Sequence, residues 1–277
     1  MSVSPAVGVD MGATLAKIAI RENGGADVLR FERLPAYARD RVASRIEALR
    51  PASIGLTGCG AAELADRLSC DTAAVNEFAA WGAGASRLLR DNGLDDGERY
   101  LLVSLGTGTS VLLVDGMSVN RTGGTALGGG TVVGLGAALL GTRDFAEISA
   151  LAEKGERGRV DLLVRDIYRP GGIALMGDLT ASAFGKLARP ESGAASREDL
   201  AAAIMGLVGE NVALVCGGLA AAAQVRRVVL GGSTLHGNPV LTGILTTVIG
   251  QLGRQATLLP EGEFAGALGG LELARAR

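Results

Sequence analysis

Apolar residues in this chain come in short blocks that end at glycine. Val7-Gly8-Val9-Asp10 leads through Met11-Gly12-Ala13-Thr14 into Leu15-Ala16-Lys17-Ile18-Ala19-Ile20. A strand, a tight glycine turn and a returning strand predict a β-hairpin with Asp10, Gly12 and Thr14 at its tip. Residues 37–49 and 61–68 have apolar positions at helical spacing, Ile54–Gly58 reads as a strand and loop between them, and residues 75–90 predict another helix. Tyr100–Val114 repeats the opening device: apolar strand, Gly-x-Gly-Thr turn, apolar strand. Two copies of one hairpin about ninety residues apart indicate duplication of a supersecondary unit.

A glycine tract follows, "RTGGTALGGGTVVGLG" from Arg121 to Gly136, with Gly128-Gly129-Gly130 expected to open a helix. Beyond it the pattern predicts an amphipathic segment near 144–154, a helix opening at about Val160 and a loop around Arg169–Gly172. A long helix from about Arg197 to Gln224 follows, started by a capping-box-like Ser196 and Asp199. Val225–Ser233 reads as a strand ending in glycines, followed by a final helix and the closing stretch Glu261–Gly270.

Composition narrows the class. The chain has 277 residues, 48% of them hydrophobic, 20% charged and 43 of them glycine, with a mean hydropathy of +0.31. That is ample apolar material for two lobes, and glycines without a three-residue period read as turns and close backbone approaches. A net charge of -2 with scattered arginines disfavours nucleic acid as a partner. Three cysteines without metal spacing, and His236 as the one histidine, point away from a disulfide framework, a zinc site or a cysteine nucleophile. The N-terminal residues lack the basic and apolar regions of a signal peptide, and the apolar stretches are interrupted before membrane-spanning length; the expectation is a soluble, cytoplasmic protein.

The hairpins carry the candidate chemistry. Backbone N–H groups gathered at a glycine turn bind phosphate oxygens without a cation. In the first hairpin Gly12, Ala13 and Thr14 form the turn, Asp10 is placed to hold Mg²⁺ through water, and Lys17 offsets phosphate charge. In the second, Gly106, Thr107, Gly108 and Ser110 supply amides and hydroxyls, and Gly231 with Gly232 leaves room for an adenosine. Together these loops describe an ATP-binding cleft between two lobes. Trp81 and His236 read as structural residues.

The succession "VDMGATLAK", "VSLGTGTSVLLV", "RTGGTALGGGTVVGLGAALL", "LLVRDIY", "GDLTASAFG", "VVLGGSTL" and "EGEFAGALGGL" resembles the type II pantothenate kinases, the eukaryotic-like branch of the actin, sugar kinase and heat-shock chaperone superfamily. The resemblance spans nearly the whole chain. It implies an α/β, two-lobed actin-like (ribonuclease H-like) fold of duplicated βββαβα units, with the nucleotide cleft between residues 1–97 and 98–277. It implies ATP- and Mg²⁺-dependent phosphorylation of pantothenate on a homodimer. Glu77, in "VNEFAAWGAG", would be the catalytic base; Arg121 would meet the carboxylate or amide end of pantothenate, with Ser110 also on the substrate; Ala181 would lie near the pantothenate pocket, reached from the partner subunit. The amides of Gly128, Gly129 and Gly130 would face the ATP phosphates. An acyl-CoA regulator is also implied, though Asp178 stands where animal members often carry an aromatic residue, and Ser104 stands where many superfamily members have a second acid. The residues alone leave open a kinase of another small hydroxylated acid, or a non-catalytic nucleotide or acyl-CoA sensor.

Overall fold

The computed structural model describes residues 3–23, 27–168, 177–189 and 193–274. Strands β1 (Val3–Met11) and β2 (Leu15–Asn23) form the opening hairpin, and β3 (Asp27–Pro35) extends it. Helix α1 (Arg39–Ala48), β4 (Ser53–Thr57), α2 (Ala61–Ala65), β5 (Ala73–Ala74) and α3 (Glu77–Asp91) follow. The sheet runs β3-β2-β1-β4-β5, with β4 parallel to β1.

The second half begins the same way. Strands β6 (Tyr100–Leu105), β7 (Thr109–Asp115) and β8 (Ser118–Thr125) form an antiparallel meander. Next come α4 (Gly129–Leu135), a π-helical turn at Gly136–Leu140, α5 (Phe145–Ala152), β9 (Leu162–Leu163), α6 (Val164–Ile167) and β10 (Thr180–Ser182), with β9 and β10 paired apart from the main sheets. Helix α7 (Arg197–Ala222), β11 (Arg227–Gly231), α8 (Pro239–Gln251), β12 (Gln255–Leu258) and α9 (Ala265–Ala274) finish the chain. The second sheet runs β8-β7-β6-β11-β12, the same order as the first when read from its third strand. The duplication seen in two hairpins therefore extends to two whole sheets.

One expectation near residue 160 changes. No helix opens at Val160; a 3-10 turn at Arg157–Arg159 leads into β9, and α6 starts at Val164. Side-chain acceptors fix that start: Leu163 N–H donates to Asp166 at 2.8 Å, and buried Asp161 accepts from Phe184 N–H at 2.8 Å. The loop expected at Arg169–Gly172 lies outside the described residues. At α7, Ser196 caps the helix by accepting from Asp199 N–H at 3.0 Å. The Asp199 carboxylate does not close the box; it accepts from Glu156 N–H at 2.8 Å.

Strand alternation sets the layers. Val7, Val9 and Met11 of β1 face a core with α1 and α2, while Ala6 joins a central core with α3, α9 and residues of the second sheet. In β6, Leu101, Val103 and Leu105 face α7 and α8, while Tyr100 and Leu102 face the central core. Helices α3 and α9 thus form a layer served by both sheets. Although α9 is last in the chain, it packs on β1 and β4: a β-carbon on Gly8 would overlap the Ala267 carbonyl, and one on Gly55 would overlap that of Gly270. Helix α7 is long and apolar enough to span a membrane, yet 72% of its most apolar window is buried inside the fold, as a core helix is.

Candidate active site

Asp10 is on the even face of β1, the face turned to α9, and is only 3% exposed. Its carboxylate is walled by two glycines. A β-carbon on Gly58 would come 2.6 Å from one carboxylate oxygen, and one on Gly266 of α9 would come 2.8 Å from the other. Lys17, its cross-strand partner in β2, is 3.5 Å away. Burial pushes the Asp10 carboxyl above its usual range, and Lys17 opposes that shift. Ser104 stands at the matching position of the duplicated hairpin and lines the same cavity, so the acid occurs in one copy only.

That cavity has a volume of about 400 Å³ and lies between the two hairpin tips. Asp10, Gly12, Ala13, Thr14, Lys17, Glu77, Gly106, Thr107, Gly108, Ser110, Arg121 and Gly232 all line it, so most residues singled out from the sequence converge. Across its mouth the Thr14 and Thr107 hydroxyls are 3.2 Å apart.

The glycine tract has a different task from the one expected. Gly129 N–H donates to Gly106 O at 2.8 Å, Gly130 N–H to Thr107 O at 2.9 Å, and Thr234 Oγ1 to Gly106 O at 2.8 Å. Gly128 N–H is 3.3 Å from Thr131 Oγ1. The amides of Gly129 and Gly130 are therefore engaged within the protein, while that of Gly128 has only the long contact to Thr131. A β-carbon on Gly128 would sit 2.7 Å from Thr107 O, and one on Gly129 would sit 2.6 Å from Thr234 Oγ1. The tract is bare so that the start of α4 can seat directly on the hairpin tip and draw both tip carbonyls away from the cavity.

That leaves donors at the two tips without a protein partner. Among the described residues, no acceptor takes the N–H of Thr107 or Gly108, or of Ala13 or Thr14 in the first hairpin. Backbone donors without a protein partner on two opposed turns suit a polyanion such as a triphosphate, whose oxygens can accept from them. A single buried carboxylate beside them suits Mg²⁺, which is commonly held by one or two carboxylates, phosphates and water; no cluster of three or more metal-ligating side chains occurs among the described residues.

Glu77 is the first residue of α3. Asn76 sets that position, accepting from Phe78 N–H and Ala79 N–H, both at 3.1 Å. Glu77 is accessible as a residue, yet it lines the cavity. Desolvation first, and then the charge of Asp10, raise its carboxyl above the usual range, with Lys17 opposing. Removing the cap with Asn76→Ala is expected to cost about 1 kcal/mol of stability in urea unfolding.

Arg121 lies on β8 beside a bulge between Val111 and Leu112. A β-carbon on Gly124, whose φ is +156°, would come 2.9 Å from Arg121 Nη2, so the bare backbone there gives the guanidinium space over the cavity. No carboxylate pairs with Arg121 among the described residues. Ala181 is exposed on β10 and is not part of the cavity lining. Gly231 lines a neighbouring cavity that shares Gly232 with the first.

Sequence reasoning missed a cluster in that neighbouring cavity. Glu263 is 3.2 Å from His236 Nδ1 and 3.4 Å from Arg33 Nη1, so His236 is not isolated. The three residues are far apart in sequence, and no local pattern joins them.

Two lobes with duplicated sheets, closing on opposed glycine turns, define an actin-like fold. Solved structures agree on the fold. The activator of 2-hydroxyisocaproyl-CoA dehydratase from Clostridium difficile, with bound ADPNP, superposes with a TM-score of 0.64 at 17% identity, covering 98% of this chain and 94% of that one. A ROK family glucokinase from Streptomyces griseus, in complex with glucose and AMPPNP, gives a TM-score of 0.60 at 13% identity, covering 99% and 100%. The family model Fumble matches residues 87–272. Type II pantothenate kinases from Oceanobacillus iheyensis and Staphylococcus haemolyticus are 33% and 32% identical, each over 96% of this chain and 98% and 99% of their own lengths. The chain belongs to the type II pantothenate kinase family.

Proposed function

We propose that this protein transfers the γ-phosphoryl group of ATP to the hydroxyl of pantothenate, giving 4′-phosphopantothenate at the first step of coenzyme A biosynthesis. The observation that carries this reading is the pair of opposed turns with unpartnered amides, set in one cavity with Glu77 and Arg121. Ala13, Thr14, Thr107 and Gly108 donate to the phosphates, and Lys17 offsets their charge. Asp10 holds Mg²⁺, which neutralises charge on the phosphates when bound. Glu77 accepts the proton of the acceptor hydroxyl, and a raised carboxyl pKa suits that role. Arg121 binds the carboxylate or amide end of pantothenate through its planar fork, and Ser110 borders the same region.

In this reading residues 1–97 contribute the first turn and the base, residues 98–277 contribute the second turn and adenosine loop, and α9 returns to wall the Asp10 site. We place the reaction in the cytoplasm, on a homodimer, with an acyl-CoA thioester as a regulator. The test is ADP release with ATP, Mg²⁺ and pantothenate. Wild-type turnover that depends on pantothenate supports the reading; ATP binding without it rejects pantothenate as the acceptor. Arg121→Ala is expected to raise KM for pantothenate by about tenfold to a hundredfold, the scale of a charge-assisted hydrogen bond, and to leave KM for ATP close to wild type.

A further inference from the structure

Beyond Gly232 the phosphate chamber continues into a second cavity of about 210 Å³. Its lining suits an apolar heterocycle: Leu230, Leu235, Leu258 and Leu259 supply apolar surface, and the backbone of Gly231 lies against that of Gly262. One carboxylate in this slot is buried: Glu263 is 6% exposed. Arg33 and His236 hold it, but loosely. His236 Nδ1 is 3.2 Å from Oε1, and Arg33 Nη1 is 3.5 Å from Oε1 and 3.4 Å from Oε2. These distances are at or beyond the long end of hydrogen bonding, and a carboxylate has about four acceptor sites, so Glu263 retains capacity for donors from a ligand.

Arg33 is directly cross-strand from Lys17, and the two side chains therefore share a face of the first sheet. Glu263 lines the slot and is reached by Arg33, the cross-strand neighbour of Lys17 in the phosphate chamber, which sets it on the side of the slot toward that chamber. In a nucleoside triphosphate the group between phosphates and base is the ribose, and its 2′- and 3′-hydroxyls are hydrogen-bond donors. We propose that Glu263, positioned by Arg33 and His236, accepts a hydrogen bond from a ribose hydroxyl and so discriminates ATP from an analogue that lacks that hydroxyl. This rests on the nucleotide reading given above.

The test is calorimetric titration of the full chain with ATP, 2′-deoxy-ATP and 3′-deoxy-ATP, in Mg²⁺ and without pantothenate. Wild-type protein is expected to bind at least one deoxy analogue about tenfold to a hundredfold more weakly than ATP, as for a hydrogen bond to a charged group. Glu263→Ala is expected to weaken ATP by the same factor and to leave Kd for that analogue unchanged, a pattern that loss of packing alone does not give. Equal binding of all three nucleotides by wild-type protein overturns the inference, and so does an equal loss for all three in Glu263→Ala. The wild-type comparison needs no variant and stands even if Glu263→Ala fails to fold. Wild-type protein that binds no ATP overturns the proposed function as well, whereas ATP binding indifferent to the hydroxyls overturns this inference alone.

Discussion

Glu77→Gln is expected to lower kcat for pantothenate-dependent ADP release by about a hundredfold to ten-thousandfold, the range that a positioned general base contributes. Kd for ATP should change little, because the amides of the two turns and Lys17 are untouched. The variant keeps the size and polarity of the side chain and removes only its ability to take a proton. The pH dependence gives a second readout. A base acts in its deprotonated form, so a raised pKa moves the acid limb of kcat/KM to higher pH. The Glu77 carboxyl is raised by desolvation and by Asp10, so as pH falls wild-type activity should be lost with a midpoint above the ordinary glutamate value of about 4.3. That limb should be missing from the residual activity of Glu77→Gln. Wild-type-like turnover in this variant would remove Glu77 from the chemistry.

The largest loss of stability is expected from a residue with no chemistry. Gly269 of α9 faces Ala80 of α3 so closely that a β-carbon would overlap the Ala80 carbonyl, and one on Gly84 would overlap the Ala265 carbonyl. The two helices meet backbone to backbone, and neither has a flexible side-chain end that could yield. Gly269→Ala must therefore part α3 from α9, at a cost of about 3 kcal/mol or more in denaturant unfolding, at or above the usual range for overpacking. Gly243 is a helical glycine of the opposite kind. It is exposed on α8 with open space around it, and Gly243→Ala should stabilise by about 0.5–1 kcal/mol through helix propensity. If both substitutions destabilise alike, close approach is not what the glycines of the α3–α9 seam provide.

The hairpins were legible because their chemistry is local: an apolar strand, a glycine turn and an apolar strand, with Asp10 one place from the end. Strands β3 and β8 were not. "DVLRFERLP" and "SVNRTGGT" are outer strands of their sheets, and charged or polar residues interrupt their apolar pattern, as befits edges that must resist further pairing. Gly128, Gly129 and Gly130 were correctly expected at a helix start, but the sequence could not show that their amides would meet the carbonyls of Gly106 and Thr107. That is a contact between segments more than twenty residues apart. The Arg33, His236 and Glu263 cluster was hidden for the same reason on a larger scale. Each residue comes from a different element, and only the returning chain brings them together.

The return of α9 to the first sheet also bears on how the protein is made. Strands β1 and β4 leave the ribosome long before α9 does, and until then their inner face, with Gly8 and Gly55, lacks the helix that covers it in the finished fold. The nascent first lobe can form its sheet and pack α1, but it must wait for almost the whole remaining chain before it can close. Through that interval an apolar surface is open to chaperones or to other nascent copies. Synthesis in which the segment holding α9 is delayed should therefore yield aggregates rich in the first lobe, with no Asp10 pocket yet walled by Gly266.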